Sequence, residues 1–206
     1  MITRKNAAEL AIMRDAGRLL AQILGELSAL VTVGQTTMAF EGRAQKLLKE
    51  AGVTSPFQGH EGYPYATCIS VNAEVVHGMP GERVLGAGDL VGIDLGVAKD
   101  GLMVDGAVTV AVAPVGEADT RLLRVAEEAL VVGIEQVRAG GRVGDISAAV
   151  QRHVEAAGFS VVRALTGHGI GRSLHEEPSV PNFGRAGTGP ELEEGMTICI
   201  EPSARY

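Results

Sequence analysis

Apolar residues recur along the chain with two periods, and the change of period outlines the elements. Leu10, Met13, Gly17, Leu20, Leu24 and Leu27 form one stripe at helical spacing, and Asn6 with Glu9 three residues on forms a capping pair at its start. A second helix is expected over about residues 37–51, with Phe40, Ala44, Leu47 and Leu48 inward and Gly52 as its stop. Strand-type runs follow at residues 67–71, then a turn at Asn72, then Val75-Val76-His77-Gly78. The strongest alternation covers residues 89–112, broken only by Asp100-Gly101, a two-residue hairpin signal. A long helix is expected over 119–139, closed by Gly140-Gly141. Asp145 is expected to cap another, striped by Ile146, Val150 and Val154 and ended by Gly158. Strands are then expected from Phe159, through a glycine-rich stretch, to residues 196–200.

Residues 31–53 align without a gap on residues 137–159, a separation of 106, with identities at Val31/Val137, Gly34/Gly140, Gln45/Gln151, Ala51/Ala157 and Gly52/Gly158. The order helix, glycine turn, helix, strand and further β structure also repeats. The pattern predicts a duplicated α+β unit in one catalytic domain, with half-repeats at about 1–112 and 113–206 that face one another. By this symmetry the second half should close with a hairpin like 89–112, of which the chain holds only the first strand.

Composition narrows the function. With 18 Lys+Arg against 25 Asp+Glu the net charge is −7, which argues against a nucleic-acid surface or an anionic-membrane anchor. Two cysteines are too few for a disulfide framework, so a reducing, cytoplasmic setting is expected. No apolar run approaches the roughly 18 residues of a membrane span, and the charged N-terminus does not read as a signal peptide. A hydrophobic content of 46% excludes wholesale disorder. The 28 glycines are nearly twice the usual share of about 7%, and with no low-complexity tract they point to tight turns and a crowded site.

The chemistry starts at the hairpin. With Asp100-Gly101 at its centre, Asp94 faces Ala107 and Gly96 faces Asp105. Asp94 and Asp105 then share one face as diagonal neighbours, roughly 7 Å apart or less at Cβ. Ile93, Leu95, Val97, Val104 and Val108 take the other, core face. Two such acids are ordinarily solvated surface residues. Here the flanking Gly92, Gly96 and Gly106, and the lack of nearby Lys, Arg or Ser, favour a metal site. A second constellation spans 166–178, where Gly167, Gly169 and Gly171 exclude a stable helix and let backbone approach a ligand. It places His168 and His175 within eight residues, without the His-Glu-x-x-His helix, nucleophile elbow or Walker loop of other enzyme classes. Glu201 ends an otherwise apolar run and is costly there unless paired or metal-bound. The repeat offset carries Asp94 to position 200, one residue from Glu201, so carboxylates of both halves are expected near the pseudo-symmetry axis. Hard oxygen donors with an imidazole suit Mn(II), Fe(II) or Co(II), and two metals fit bridging carboxylates better than one. The residues therefore point to a dinuclear metallohydrolase that attacks an amide or ester with a bridging hydroxide.

Five motifs, in order along nearly the whole chain, resemble type I methionine aminopeptidases: Val75-Val76-His77-Gly78-Met79-Pro80, Ile93-Asp94-Leu95-Gly96, residues 99–105, residues 167–178 and residues 195–202. The resemblance implies the α+β pita-bread fold with internal pseudo-twofold symmetry. It implies two divalent metal ions (Co, Mn, Fe or Zn), N-terminal Met-peptides and nascent chains as substrates, contact with the ribosome, and a monomer. By the same resemblance Asp94 chelates one metal, Asp105 bridges both, and His168 and Glu201 hold the other, with Glu201 also the proton shuttle. His77 contacts substrate near the scissile bond, and His175 stabilises the oxyanion. Tyr63, Cys68 and Leu174 line the methionine pocket, although the family often has an aromatic at the position of Leu174. The family also uses a fifth ligand, a second glutamate on a later strand. The chain ends five residues after Glu201, so the expectation is a fragment or truncated variant that binds metal weakly and cleaves poorly. The competing readings are a proline-specific peptidase of the same fold and a non-catalytic pita-bread binding module.

Overall fold

Asn6 opens helix α1 (Ala7–Ala29) as the capping pair requires. Its Oδ1 accepts from the amides of Ala8 and Glu9 at 2.9 and 3.0 Å, and the Glu9 carboxylate accepts from the Asn6 amide at 2.8 Å. Asn6→Ala should lower stability by about 1 kcal/mol, measured as a lower urea midpoint at unchanged slope. The buried stripe of α1 is Met13, Ala16, Leu20, Ile23, Leu24 and Leu27. It is rotated from the expected one: Ala16 and Ile23 join it, while Leu10 and Gly17 are half-buried. A core-facing helix needs an apolar face about 100° wide, broader than a single row of leucines.

The computed structural model describes residues 2–206, which form two compact units, one of residues 11–116 and one of residues 2–10 with 117–206. In the first, α2 (Thr37–Glu50) buries Phe40, Ala44 and Leu48, and a 3-10 turn follows at His60–Gly62. Strands β1 (Thr67–Val71), β2 (Leu90–Lys99) and β3 (Leu102–Ala111) make an antiparallel sheet in that order. The hairpin has the expected register, Asp94 opposite Ala107 and Gly96 opposite Asp105. Its two turn residues are both left-handed, Asp100 at φ 50° and Gly101 at φ 77°, the geometry that matches strand twist. Ile93, Leu95 and Val97 are fully buried against α1 and α2, joined by Val104 and Val108.

In the second unit, α3 (Glu117–Ile134) and α4 (Val143–Ala156) pack over a core of Val125, Ala129, Ile146, Val150, Val154, Phe159 and Val180. Helix α3 stops five residues before the expected end. The Gly140 amide donates instead to the Leu192 carbonyl at 2.9 Å, which a continuing helix could not allow. Asp145 caps α4 from its third residue, accepting from the amides of Arg142 and Gly187, both at 2.8 Å. Arg142 is the N-cap because its extended backbone bridges to Glu191. Strands β5 (Thr166–Gly169) and β6 (Glu176–Pro181) pair, as do the short β4 (Ser160–Val161) and β7 (Ala204–Arg205). The expected strand at 196–200 is reduced to one bridge, Ile198 to Gly169, with Cys199 N donating to His168 O at 2.7 Å. The register shift between His168 and Gly169 interrupts the ladder there. Among the described residues no helix is long and apolar enough to cross a membrane.

The two units repeat one another internally. Helices α2 and α4 have 14 residues each and start 106 positions apart, at Thr37 and Val143. The bridges do not keep that offset throughout. Thr36 to Val84 recurs as Arg142 to Glu191, and Thr54 to Ala98 as Ser160 to Arg205, so the second partner moves by 107. The bond from Asn72 N to Leu90 O recurs from Ile170 N to Thr197 O, an offset of 98 for the donor and 107 for the acceptor. The second unit is thus eight residues shorter before β5, and nine longer between Ile170 and Thr188, the counterpart of Gly81 in its bond to the start of the helix. The corrected offset makes Glu201, not position 200, the counterpart of Asp94.

Candidate functional site

In the Ala11–Gly116 unit, Cys68 of β1 stands opposite Asp94 of β2, and Gly96 opposite Asp105 of β3, so Cys68, Asp94 and Asp105 gather on neighbouring strands. Burial pushes the Cys68 thiol up to about 11, helped by the fields of Asp94, Asp105 and Glu41 against a hydrogen bond with Tyr63. At neutral pH it is a protonated, soft, apolar surface. Burial and that same hydrogen bond also raise the Tyr63 phenol, whose hydroxyl donates to the Thr67 carbonyl at 2.9 Å. His77 stands apart, exposed on its loop at a left-handed φ of 59°. Gly78 holds that loop against β1: its amide donates to Ser70 Oγ at 3.0 Å, and its carbonyl accepts from Ile69 N at 2.8 Å. A Cβ at Gly78 would fall 2.4 Å from the Ile69 carbonyl oxygen, so only glycine allows the contact.

In the other unit, His168 on β5 approaches Glu201, Nε2 to Oε1 3.2 Å. Its Nδ1 lies 2.8 Å from the Gly169 carbonyl, so Nδ1 carries a proton and Nε2 is the ring atom that faces the carboxylate. A proton or a metal ion between Nε2 and the carboxylate satisfies both. Glycines make this strand geometry accessible: a Cβ at Gly167 would be 2.2 Å from Cys199 O, and one at Gly169 would be 2.2 Å from Glu177 O. The His175 ring is exposed and stands edge-on to that of His168, centroids 4.5 Å apart, while Leu174 beside it is buried. Glu201 is not enclosed as the apolar run suggested. Its side chain is 47% exposed, and its carbonyl accepts from the buried Asn182 amide at 2.7 Å, which fixes the backbone.

Each unit thus offers donors of the kind a hard divalent ion takes: two carboxylates on one hairpin face, and an imidazole Nε2 beside a carboxylate. The residues present fit the expected metals.

Sequence reasoning missed three supporting groups. Glu41 is 2% exposed on α2, and its carboxylate accepts from the amides of Ala66 and Thr67 and from the Thr67 hydroxyl at 2.8, 2.9 and 2.6 Å. It thereby pins the start of β1 next to Cys68. The signal was an acid beside the inward residue Phe40. Asn182 and the pair Lys5–Glu176 carried no signal of spacing.

The model of metallopeptidase family M24 matches residues 11–205. A methionine aminopeptidase of Clostridium perfringens is 46% identical over 98% of this chain and 81% of its own length. The crystal structure of methionine aminopeptidase from Thermotoga maritima superposes with a TM-score of 0.96 at 42% identity, covering 98% of this chain and 82% of that one. A prolidase from Pyrococcus furiosus has the same fold, with a TM-score of 0.84 at 23% identity, over 97% of this chain and 57% of its own. The α+β architecture is the pita-bread fold of these enzymes. The chain belongs to metallopeptidase family M24 and stands among its methionine aminopeptidases.

Proposed function

We propose that this protein removes the N-terminal methionine from peptides and nascent chains, as a metal-dependent exopeptidase. The observation that carries the reading is the hairpin face on which Asp94 and Asp105 stand beside a protonated Cys68. It offers hard metal donors next to a neutral, polarisable wall suited to a thioether. Asp94 and Asp105 of the one unit and His168 and Glu201 of the other would be the residues that hold two divalent ions, Co, Mn, Fe or Zn. When bound, such ions polarise the scissile carbonyl and bring the pKa of water down to about 7.

The chain's own groups do the rest. The Glu201 carboxylate takes the proton of the attacking water and delivers it toward the leaving amine. His77 approaches the scissile bond from the loop anchored by Gly78 and assists that transfer. His175 donates to the oxyanion as the carbonyl carbon becomes tetrahedral. Tyr63 and Cys68 would contact the methionine side chain, as would Leu174. The protein works as a monomer in the cytoplasm, where nascent chains emerge from ribosomes with which it associates.

The test compares release of free methionine from a Met-Ala-Ser peptide with cleavage of an Xaa-Pro dipeptide, each with Mn(II), Co(II), Fe(II) or Zn(II) added. Methionine release that stops with a chelator and returns with metal is expected. Cleavage confined to the Xaa-Pro substrate would replace this reading by a proline-specific peptidase. Metal binding without hydrolysis of either would replace it by a binding module.

A further inference from the structure

The N-terminal segment reaches the turn that carries Leu174 and His175, and it does so through a buried ion pair. Lys5 Nζ lies 2.6 Å from Glu176 Oε2, with the two side chains 1% and 8% exposed. The same ammonium donates to Thr3 Oγ1 at 2.8 Å, and the Thr3 hydroxyl donates to the same Glu176 oxygen. The other oxygen, Oε1, accepts from the amides of Arg172 and Ser173 at 2.7 and 3.2 Å. One carboxylate therefore closes the turn on both sides of Leu174 and His175. The lysine is fixed in turn: its amide donates to the Gly195 carbonyl at 2.7 Å. A Cβ on Gly171 would fall 2.1 Å from Lys5 Cε, so the glycine leaves the channel through which the lysine stem passes. Arg172 adds a second tie, with Nε and Nη2 3.1 and 2.6 Å from Glu9 Oε1 at the start of α1.

The turn lies in the stretch that is nine residues longer than its counterpart in the other unit, and its own backbone bond runs from Gly171 N to Ser173 O at 3.1 Å. A buried ion pair is seldom more stabilising than apolar residues of the same volume. What it supplies here is geometry, a fixed acceptor for two turn amides.

We propose that Lys5 is a positioning residue, which through Glu176 sets the turn that presents His175 to substrate. The proposal rests on the role given to His175 above. It also assigns Thr3 as a lesser support of the same carboxylate.

The experiment is a double-mutant cycle of Lys5→Met and His175→Ala, with kcat and KM for a Met-Ala-Ser peptide. Lys5→Met should lower kcat/KM roughly 10- to 100-fold, the scale of a small misplacement of a reacting group. In the His175→Ala background it should cost no more than about 2-fold, because the group it acts through is already gone. Equal losses in both backgrounds would reduce Lys5 to a general stabiliser and overturn the proposal. Thr3→Val, which keeps the ion pair, serves if Lys5→Met does not fold; it should show a smaller loss with the same dependence on His175. An NMR readout on the metal-free chain stands apart from activity. The ring signal of His175, assigned by its absence in His175→Ala, should shift or broaden in either variant while that of His153 on α4 stays in place. An unmoved His175 signal refutes the positioning role. Full activity of His175→Ala would refute the role of His175 instead, and the NMR comparison would still decide whether Lys5 places the ring.

Discussion

Asp105→Asn is expected to reduce release of methionine from a Met-peptide by at least about 10³-fold, since even groups that only orient metal ligands contribute 10- to 100-fold. The substitution keeps the shape of the side chain and removes its charge and one good donor oxygen. Asp105 stands opposite Gly96 on the face of the hairpin away from the core. The buried face of Ile93, Leu95 and Val97 is untouched, so the melting temperature should stay within a few degrees of the parent. Asp94→Asn should behave alike, and each substitution removes one of the carboxylates whose fields help raise the Cys68 thiol. Metal titration by calorimetry should show weakened or lost binding in both variants, and excess metal should restore little turnover. A fully active Asp105→Asn protein would remove this residue from the metal set.

The second large effect is on stability in acid. Burial acts to raise the Glu176 carboxyl, but hydrogen bonds from Lys5, Thr3 and the amides of Arg172 and Ser173 outweigh it and take the group from 4.5 to about 2. The folded chain therefore binds a proton there less readily than the unfolded chain. The resulting stabilisation is complete above about 4.5 and disappears as pH falls through about 2. At about 1.4 kcal/mol for each pH unit of displacement, it amounts to about 3 kcal/mol. Urea unfolding from pH 6 down to 2 should show this loss, and Glu176→Gln should flatten that part of the profile. Lys5→Met should destabilise the protein at neutral pH by about 3 kcal/mol or more, because it leaves a buried carboxylate without its cation. An identical acid profile for the parent and Glu176→Gln would show that other carboxyls govern the transition.

Much of this architecture could be read from local patterns. The hairpin register followed from Asp100-Gly101 and strict alternation, and that register put Asp94 and Asp105 on one face. The capping pair at Asn6 and the stripe of Ile146, Val150 and Val154 followed from helical spacing in the same way. Errors appeared where distant segments compete with local preference. Helix α3 ended early because Gly140 bonds Leu192, and the run at 196–200 joins β5 through the Ile198 bridge and the bond from Cys199 N to His168 O rather than as a full strand.

The candidate site divides along the same line. The donor types, their glycine surroundings and the duplication are written in residue identity and short spacings, because pleat, turn and helix periodicity act between near neighbours. The offset of 107 that makes Glu201 the counterpart of Asp94, the bond from Asn182 to the Glu201 carbonyl and the pinning of β1 by Glu41 come from packing within each unit. Lys5 and Glu176 are 171 positions apart in the chain. No periodicity links such residues. Their pairing exists only once folding has closed that loop and removed both charges from water, so that each is the other's best remaining partner.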